Sequence, residues 1–477
     1  MENLYRNPES LFKDFLIENK KWFQDSKSTG QFLLQFIIEL NDVDHLSVLD
    51  NEFINRERAI YLSKPNMDFH FIGLDECFSI QENSDNRFLR IEQHIEKIRN
   101  SFRTNLPALD RVPLFFASIK FLTDDSDEWK DFDDSRWFIP ESALFRTGSK
   151  NYFIFNLILE ENSSLDKFVE KFSKRVSSIF NNSKKGLSNS SPNVKDISND
   201  YPKEKKRWKN LVSEAVSKIG EKNLEKVVLS RRIVKKINGE IPLARLVQNM
   251  ASSYPACFNF IYKRGKSFFI GASPEKLITF SGNEYEIDSL AGSAPRGISD
   301  ELDKEIEKQL LKTEKNIREQ KIVTNFIIDT IKNFSNNYSE KNSLSVKKFR
   351  NIQHLYTAIT GRLKEESSVY SMIKELYPTP AICGTPRQQA LSFIKKSETY
   401  PRGLYSGLMG WVNLKDQGEL FIAIRSILIS ANKLYAFAGS GILDSSDPED
   451  EYKETEIKIN SILNFFTNAN KPEHNLG

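Results

Sequence analysis

The 477-residue chain carries 68 Lys and Arg against 65 Asp and Glu, a formal net charge of +3, and it is long enough to bury a large core in one or several units. It has no dense basic block and no apolar run near the eighteen residues that a membrane span needs, so neither nucleic acid nor a bilayer is indicated as a partner, while a small anion stays open. Three scattered cysteines, Cys77, Cys257 and Cys383, and an N-terminus without a signal-peptide apolar region point to a reduced, cytoplasmic protein that uses neither disulfides nor zinc.

In chain order, residues 31–40 carry a helical pattern and residues 152–159 an apolar strand, and no chemical motif stands out in this N-terminal portion, 1–180. Residues 181–209 are rich in Asn, Ser and Lys and poor in apolar side chains, so they read as a polar linker or surface loop. The chemistry is then expected in 210–470. There the pattern predicts a helix at 208–219, followed by strands at 226–231, 256–262, 267–272, 276–280 and 284–290, the last three as antiparallel neighbours because the turns between them are short. Apolar positions from Leu302 to Ile331 recur at helical spacing, which predicts one long or broken amphipathic helix. Strands at 418–430 and 433–438, joined by a tight turn at Ala431 and Asn432, precede a helix from Pro448. The mixture is α+β.

Arg425 lies in 420–429, where nearly every neighbour is apolar. Its guanidinium needs a partner, either a bidentate carboxylate ligand or one of the chain's own acids. The next strand ends Phe437-Ala-Gly-Ser-Gly-Ile, whose alternate glycines either admit a ligand to the main chain or make a tight turn. In the last helix Asp447 suits the N-cap and Pro448 the first position, while Glu451, Glu454 and Lys458 fall on one face, as a carboxylate pair beside an ammonium or as a solvated surface. Glu319 sits on the apolar stripe of the 300–334 helix, which is costly unless a cation or metal faces it. Magnesium takes oxygen ligands and keeps several waters, so two carboxylates from distant helices plus a substrate oxygen could form its site. Lys226 and Glu275, at strand ends, are either acid/base groups or ordinary strand-end charges.

Six motifs follow one another in order: Lys226-Val-Val-Leu-Ser-Arg, Ala272-Ser-Pro-Glu-Lys-Leu, Leu290-Ala-Gly-Ser-Ala-Pro-Arg-Gly, Glu314-Lys-Asn-Ile-Arg-Glu, Gln353-His-Leu, and the C-terminal series. That series runs from Leu376-Tyr-Pro-Thr-Pro-Ala-Ile-Cys-Gly-Thr-Pro-Arg through Phe421-Ile-Ala-Ile-Arg-Ser and 437–442 to Pro448-Glu-Asp-Glu-Tyr-Lys-Glu-Thr. Over 224–463 the chain resembles the chorismate-utilising enzymes, which include isochorismate, anthranilate, aminodeoxychorismate and salicylate synthases. The resemblance implies a large α+β fold with extensive antiparallel sheets flanked by helices. It also implies that Arg425, the backbone at Gly439 and Gly441, Tyr405, Thr385, Ser293, Arg387 and Lys458 bind chorismate, with His354 helping to position it. Glu319 and Glu454, with Glu451 beside them, would bind Mg²⁺. Lys226 would be the general base for water attacking ring C2, and Glu275 the acid that protonates the departing C4 hydroxyl; a lysine base must act as the neutral amine.

Aminodeoxychorismate synthases carry a nucleophilic lysine where Ala291 stands, so the resemblance does not extend to that activity. Leu290, Lys226 and the 376–387 motif look like isochorismate synthases of menaquinone or siderophore/salicylate biosynthesis, which need no glutaminase subunit. Salicylate synthase, which goes on to eliminate pyruvate, is the nearest alternative, and anthranilate synthase component I the next. Ser293 replaces the family's usual threonine and Gln320 a common histidine. The first substitution keeps a hydroxyl, and both glycines of 437–442 are present.

Overall fold

Runs of β-branched and aromatic residues dominate the folded chain, and they assemble into two large sheets. The computed structural model describes residues 7–25, 31–41, 43–83, 87–124, 126–188, 190, 192–196, 201–340 and 344–467. The larger sheet has thirteen described strands; its central run is Lys226–Asn238, Lys433–Ile442, Ser426–Ser430, Ser267–Ser273, Phe258–Arg264 and Arg58–Lys64. The smaller has ten, among them Ile352–Leu363, Glu284–Pro295, Lys276–Ser281, Gln417–Ile422, Leu408–Val412 and Phe115–Ile119, in that order. Almost all pairing is antiparallel; the described exception is Phe32–Leu40 with Phe102–Thr104. Among the described residues no helix is long and apolar enough to cross a membrane.

Both sheets mix strands from before and after the polar 181–209 segment, so the N-terminal portion completes the sheets that carry the later motifs. The segment itself is more structured than its composition predicts. Asn193–Asp196 adds an edge strand to Lys226–Asn238, residues 201–209 open the helix Tyr201–Gly220, and Trp208 is buried. Residues 189, 191 and 197–200 of that segment lie outside the described ones.

Two other expectations change, and one is narrowed. Residues 31–40 form the strand Phe32–Leu40, not a helix: both faces are buried from Phe32 to Ile37, and the polar Gln31, Gln35 and Glu39, four residues apart, imitate helical spacing although Gln35 is satisfied in the interior by Asn156. Of the two forms expected for 300–334, the structure has the broken helix, as Asp300–Leu310 and Glu314–Ile331. Strands 267–272 and 276–280 are not neighbours: Ser267–Ser273 pairs with Phe258–Arg264 and Ser426–Ser430 in the larger sheet, whereas Lys276–Ser281 pairs with Glu284–Pro295 and Gln417–Ile422 in the smaller.

Candidate active site

Two of the passages that the chain makes from one sheet to the other build the site. It leaves the larger sheet at Ser273 and enters the smaller at Lys276, and it returns through residues 423–425 between Gln417–Ile422 and Ser426–Ser430. Arg425 therefore lies at a break and not inside one continuous 418–430 strand. Its φ is +52°, a left-handed value unusual for a residue with a side chain. The conformation is held in place by hydrogen bonding, since the Arg425 carbonyl accepts the Ala272 N–H at 3.1 Å. The two passages also bind each other: the Ser273 hydroxyl donates to the Ile422 carbonyl, and the Ile422 N–H donates to the Glu275 carbonyl at 3.0 Å. Pro274, lacking an N–H, suits a point where the ladder must stop.

Glu275 and Arg425, one on each passage, line a common cavity. Glu319 enters it from Glu314–Ile331, Glu454 and Lys458 enter from Pro448–Thr467, and Gly439 and Gly441 form part of its wall. Ser293, His354 and Tyr405 line it as well.

Lys226 opens the strand Lys226–Asn238 and is fully buried. Its Nζ stands 3.0 Å from Glu319 Oε1 but has no well-oriented hydrogen bond to a described atom. It is not one of the lining residues and stands behind two of them, Glu319 and Gly441. A Cβ at position 441 would come within 2.2 Å of Glu319 Oε1 and 3.0 Å of Lys226 Cε, so the glycine makes room for this pair.

Besides Lys226, the structure leaves three predicted residues off the cavity wall. Glu451 is 1% exposed and lies behind Ser440, with one carboxylate oxygen bound by Lys315 Nζ and the other by the Ser440 hydroxyl. Thr385 faces a separate groove with Glu225 and Arg318, and its backbone pairs with Lys226. Arg387 donates to the Glu375 carbonyl and stacks over Phe326 at 5.0 Å, tied to a neighbouring helix end. In their place Ala381 and Ile382 from the same motif line the cavity, together with Val228 and Phe437. Strand alternation could have supplied Val228, which shares a face with Lys226.

Burial and charge set the protonation states. Burial pushes the Glu275 carboxyl up to about 7, even though Lys226, Lys458 and Arg425 pull it down. Burial also lowers His354 to about 3, helped by Arg425 and Lys458, so its ring is neutral. His354 Nε2 lies 3.4 Å from an Arg425 guanidinium nitrogen, which can only donate; Nδ1 therefore carries the proton and donates to Ser293 Oγ at 2.9 Å. Burial alone would raise Glu454, but Lys458, 2.5 Å away, holds it below the usual carboxylate range. Among the described residues Arg425 has His354 as its side-chain hydrogen-bonding partner, and no carboxylate.

Among the described residues no group of three or more His, Cys, Asp or Glu side chains converges tightly enough to hold a metal unaided. Glu319 and Glu454, however, face one cavity from two helices, and an all-oxygen pair completed by substrate and water suits a small hard cation.

A family model described as chorismate binding enzyme matches residues 18–467. The chain belongs to this chorismate-binding enzyme family. It is 27% identical over 417 residues to the isochorismate synthase MenF of Bacillus subtilis (strain 168), covering 84% of this chain and 86% of that protein. It is 31% identical over 259 residues to the salicylate biosynthesis isochorismate synthase of Pseudomonas aeruginosa, covering 54% of each. The structure of MenF, the menaquinone-specific isochorismate synthase of Escherichia coli, superposes with a TM-score of 0.71 at 22% identity, covering 95% of this chain and 99% of that one. The last likeness places the antiparallel α+β fold within the chorismate-binding enzymes' known architecture.

Proposed function

We propose that this chorismate-binding enzyme converts chorismate to isochorismate. Water adds at ring C2, the ring double bonds shift and the C4 hydroxyl leaves, so one water enters and one departs. Lys226, as the free amine, takes a proton from the incoming water, and Glu275 gives its proton to the departing hydroxyl. The observation that carries this reading is a buried carboxyl poised at about 7 on the cavity wall, with a fully buried lysine 3.0 Å behind Glu319 of the same wall. A carboxyl at that value still holds its proton in a useful fraction at neutral pH, which an acid catalyst requires.

Arg425 and Lys458 supply positive charge for the substrate's two carboxylates, and the exposed backbone at Gly439 and Gly441 supplies close approach. Neutral His354 holds the guanidinium of Arg425 in place without competing for a carboxylate. Glu319 and Glu454 would hold Mg²⁺, whose charge, when bound, offsets that of the substrate carboxylate. The relatives' names support a product that feeds menaquinone or salicylate synthesis; a siderophore fate, a cytoplasmic location and independence of a glutaminase subunit belong to the same proposal.

Incubation with chorismate and Mg²⁺, followed by chromatography, is expected to give isochorismate. Early salicylate with equimolar pyruvate, or anthranilate formed only with added ammonia, would reject the proposal. A second expectation concerns the glycine wall. Gly441→Ala should lower kcat/KM by about ten- to a hundredfold, because the new methyl displaces Glu319 and Lys226. Wild-type kinetics in a folded Gly441→Ala protein would separate that pair from the reaction.

A further inference from the structure

Lys315 lies one helical turn before Glu319 on Glu314–Ile331, and Glu451 lies one turn before Glu454 on Pro448–Thr467. The two helices rest on different sheets: the first packs on Glu284–Pro295 of the smaller sheet, the second on Lys433–Ile442 of the larger. The spacing between Glu319 and Glu454 therefore depends on whatever bridges the helices. A knot built on the buried Glu451 and the half-buried Lys315 does so. Glu451 binds Lys315 through one oxygen and the Ser440 hydroxyl through the other, and Ser440 stands between Gly439 and Gly441. None of Lys315, Ser440 and Glu451 lines the cavity.

We infer that Lys315 is a positioning residue. Its ion pair with Glu451, braced by Ser440, fixes the relative placement of the Glu319 and Glu454 carboxylates and so sets the affinity for a divalent cation. This rests on the reading of Glu319 and Glu454 as the metal carboxylates. It gives Glu451 a different task from the one its spacing implies: with both oxygens engaged, it braces the site and does not coordinate the ion. Breaking a buried pair leaves a charge without a partner, so the bridge resists distortion more strongly than a solvated one. Partners one shell removed from a metal commonly change affinity by about 10- to 100-fold when lost. Arg318 offers an internal comparison, because it joins the same helix to Asp444, ahead of Pro448–Thr467, through an exposed bridge at 2.8 Å that should count for little.

The test uses the full chain, with Mn²⁺ binding measured by calorimetry and the Mg²⁺ requirement measured kinetically. Lys315→Met is expected to weaken Mn²⁺ binding and raise the half-saturating Mg²⁺ concentration by about 10- to 100-fold. At saturating Mg²⁺ its kcat should recover to within about threefold, since no reacting group has been removed. Lys315→Arg should restore much of the affinity, and Lys315→Met combined with Glu451→Gln should be no worse than Lys315→Met alone, because both act through one bridge. Arg318→Gln should leave the metal constants within about twofold.

Three results would overturn the inference while leaving the metal reading intact: Glu451→Gln abolishing Mn²⁺ binding while Lys315→Met retains it, equal effects of Lys315→Met and Arg318→Gln, or a Lys315→Met protein that loses thermal stability with unchanged metal constants. A wild-type protein that binds no Mn²⁺ and works without Mg²⁺ would overturn both.

Discussion

Replacing Lys226 with glutamine should lower kcat by about 10²- to 10⁴-fold, the range general-base catalysis contributes. Glutamine is one bond shorter but fills most of the buried chain's volume and can donate toward Glu319, so the fold and the cavity wall should survive where alanine would leave a void. Chorismate affinity, measured by calorimetry, should stay within a few-fold, because Arg425 and Lys458 remain. A structural role for Lys226 makes a different set of predictions: a fall in thermal stability matching the fall in activity, and rescue by arginine. Retention of turnover in a folded Lys226→Gln protein would remove the lysine from the chemistry.

The sequence already held the strands 226–231 and 433–438, the helix from Pro448 and most of the residues that meet in the cavity, because these elements have clear periods and caps. Asp447 accepts the N–H groups of Glu449 and Asp450 as an N-cap should, and Ala431 and Asn432 both take positive φ at their turn. What could not be read was the sheet to which each strand belongs. Around Arg425 the run 420–429 is apolar on both faces, so its periodicity gives no sign that the chain changes sheets at 423–425. The same holds at 273–276, where a short polar connection looks like a hairpin. Those two passages place Glu275 and Arg425 in one cavity, and the passages exist only because distant strands complete both sheets. Glu451 shows the same limit for ligands: its spacing from Glu454 matches a paired site, but the groups that occupy its oxygens, Lys315 and Ser440, lie on other elements. Thr385 and Arg387 belong to a motif that reaches the cavity through Ala381 and Ile382, so here the right segment came with the wrong side chains for its wall.

Glu275→Gln should abolish turnover and, at alkaline pH, stabilise the protein. The carboxyl rises from an ordinary 4.5 to about 7, chiefly through burial, so it is protonated in the folded protein below neutrality and ionised above it. As the acid catalyst it must hold the proton, and wild-type kcat/KM should therefore fall about tenfold per pH unit above pH 7. Glutamine has the shape of the protonated acid but no proton to give, so no pH should restore activity. The stability effect follows from the same shift with the sign fixed by linkage. A group whose folded value lies above its unfolded one adds stability that is fully present below the unfolded value and is lost as pH rises through the folded value. Between 4.5 and about 7 that loss amounts to about 3 kcal/mol for a single carboxyl. Thermal unfolding of the two proteins should coincide near pH 5 and diverge by pH 8.5, with the glutamine variant the more stable. Equal curves at both pH values would mean that Glu275 titrates as an ordinary carboxylate, and an acid role at neutral pH would then lose its physical basis.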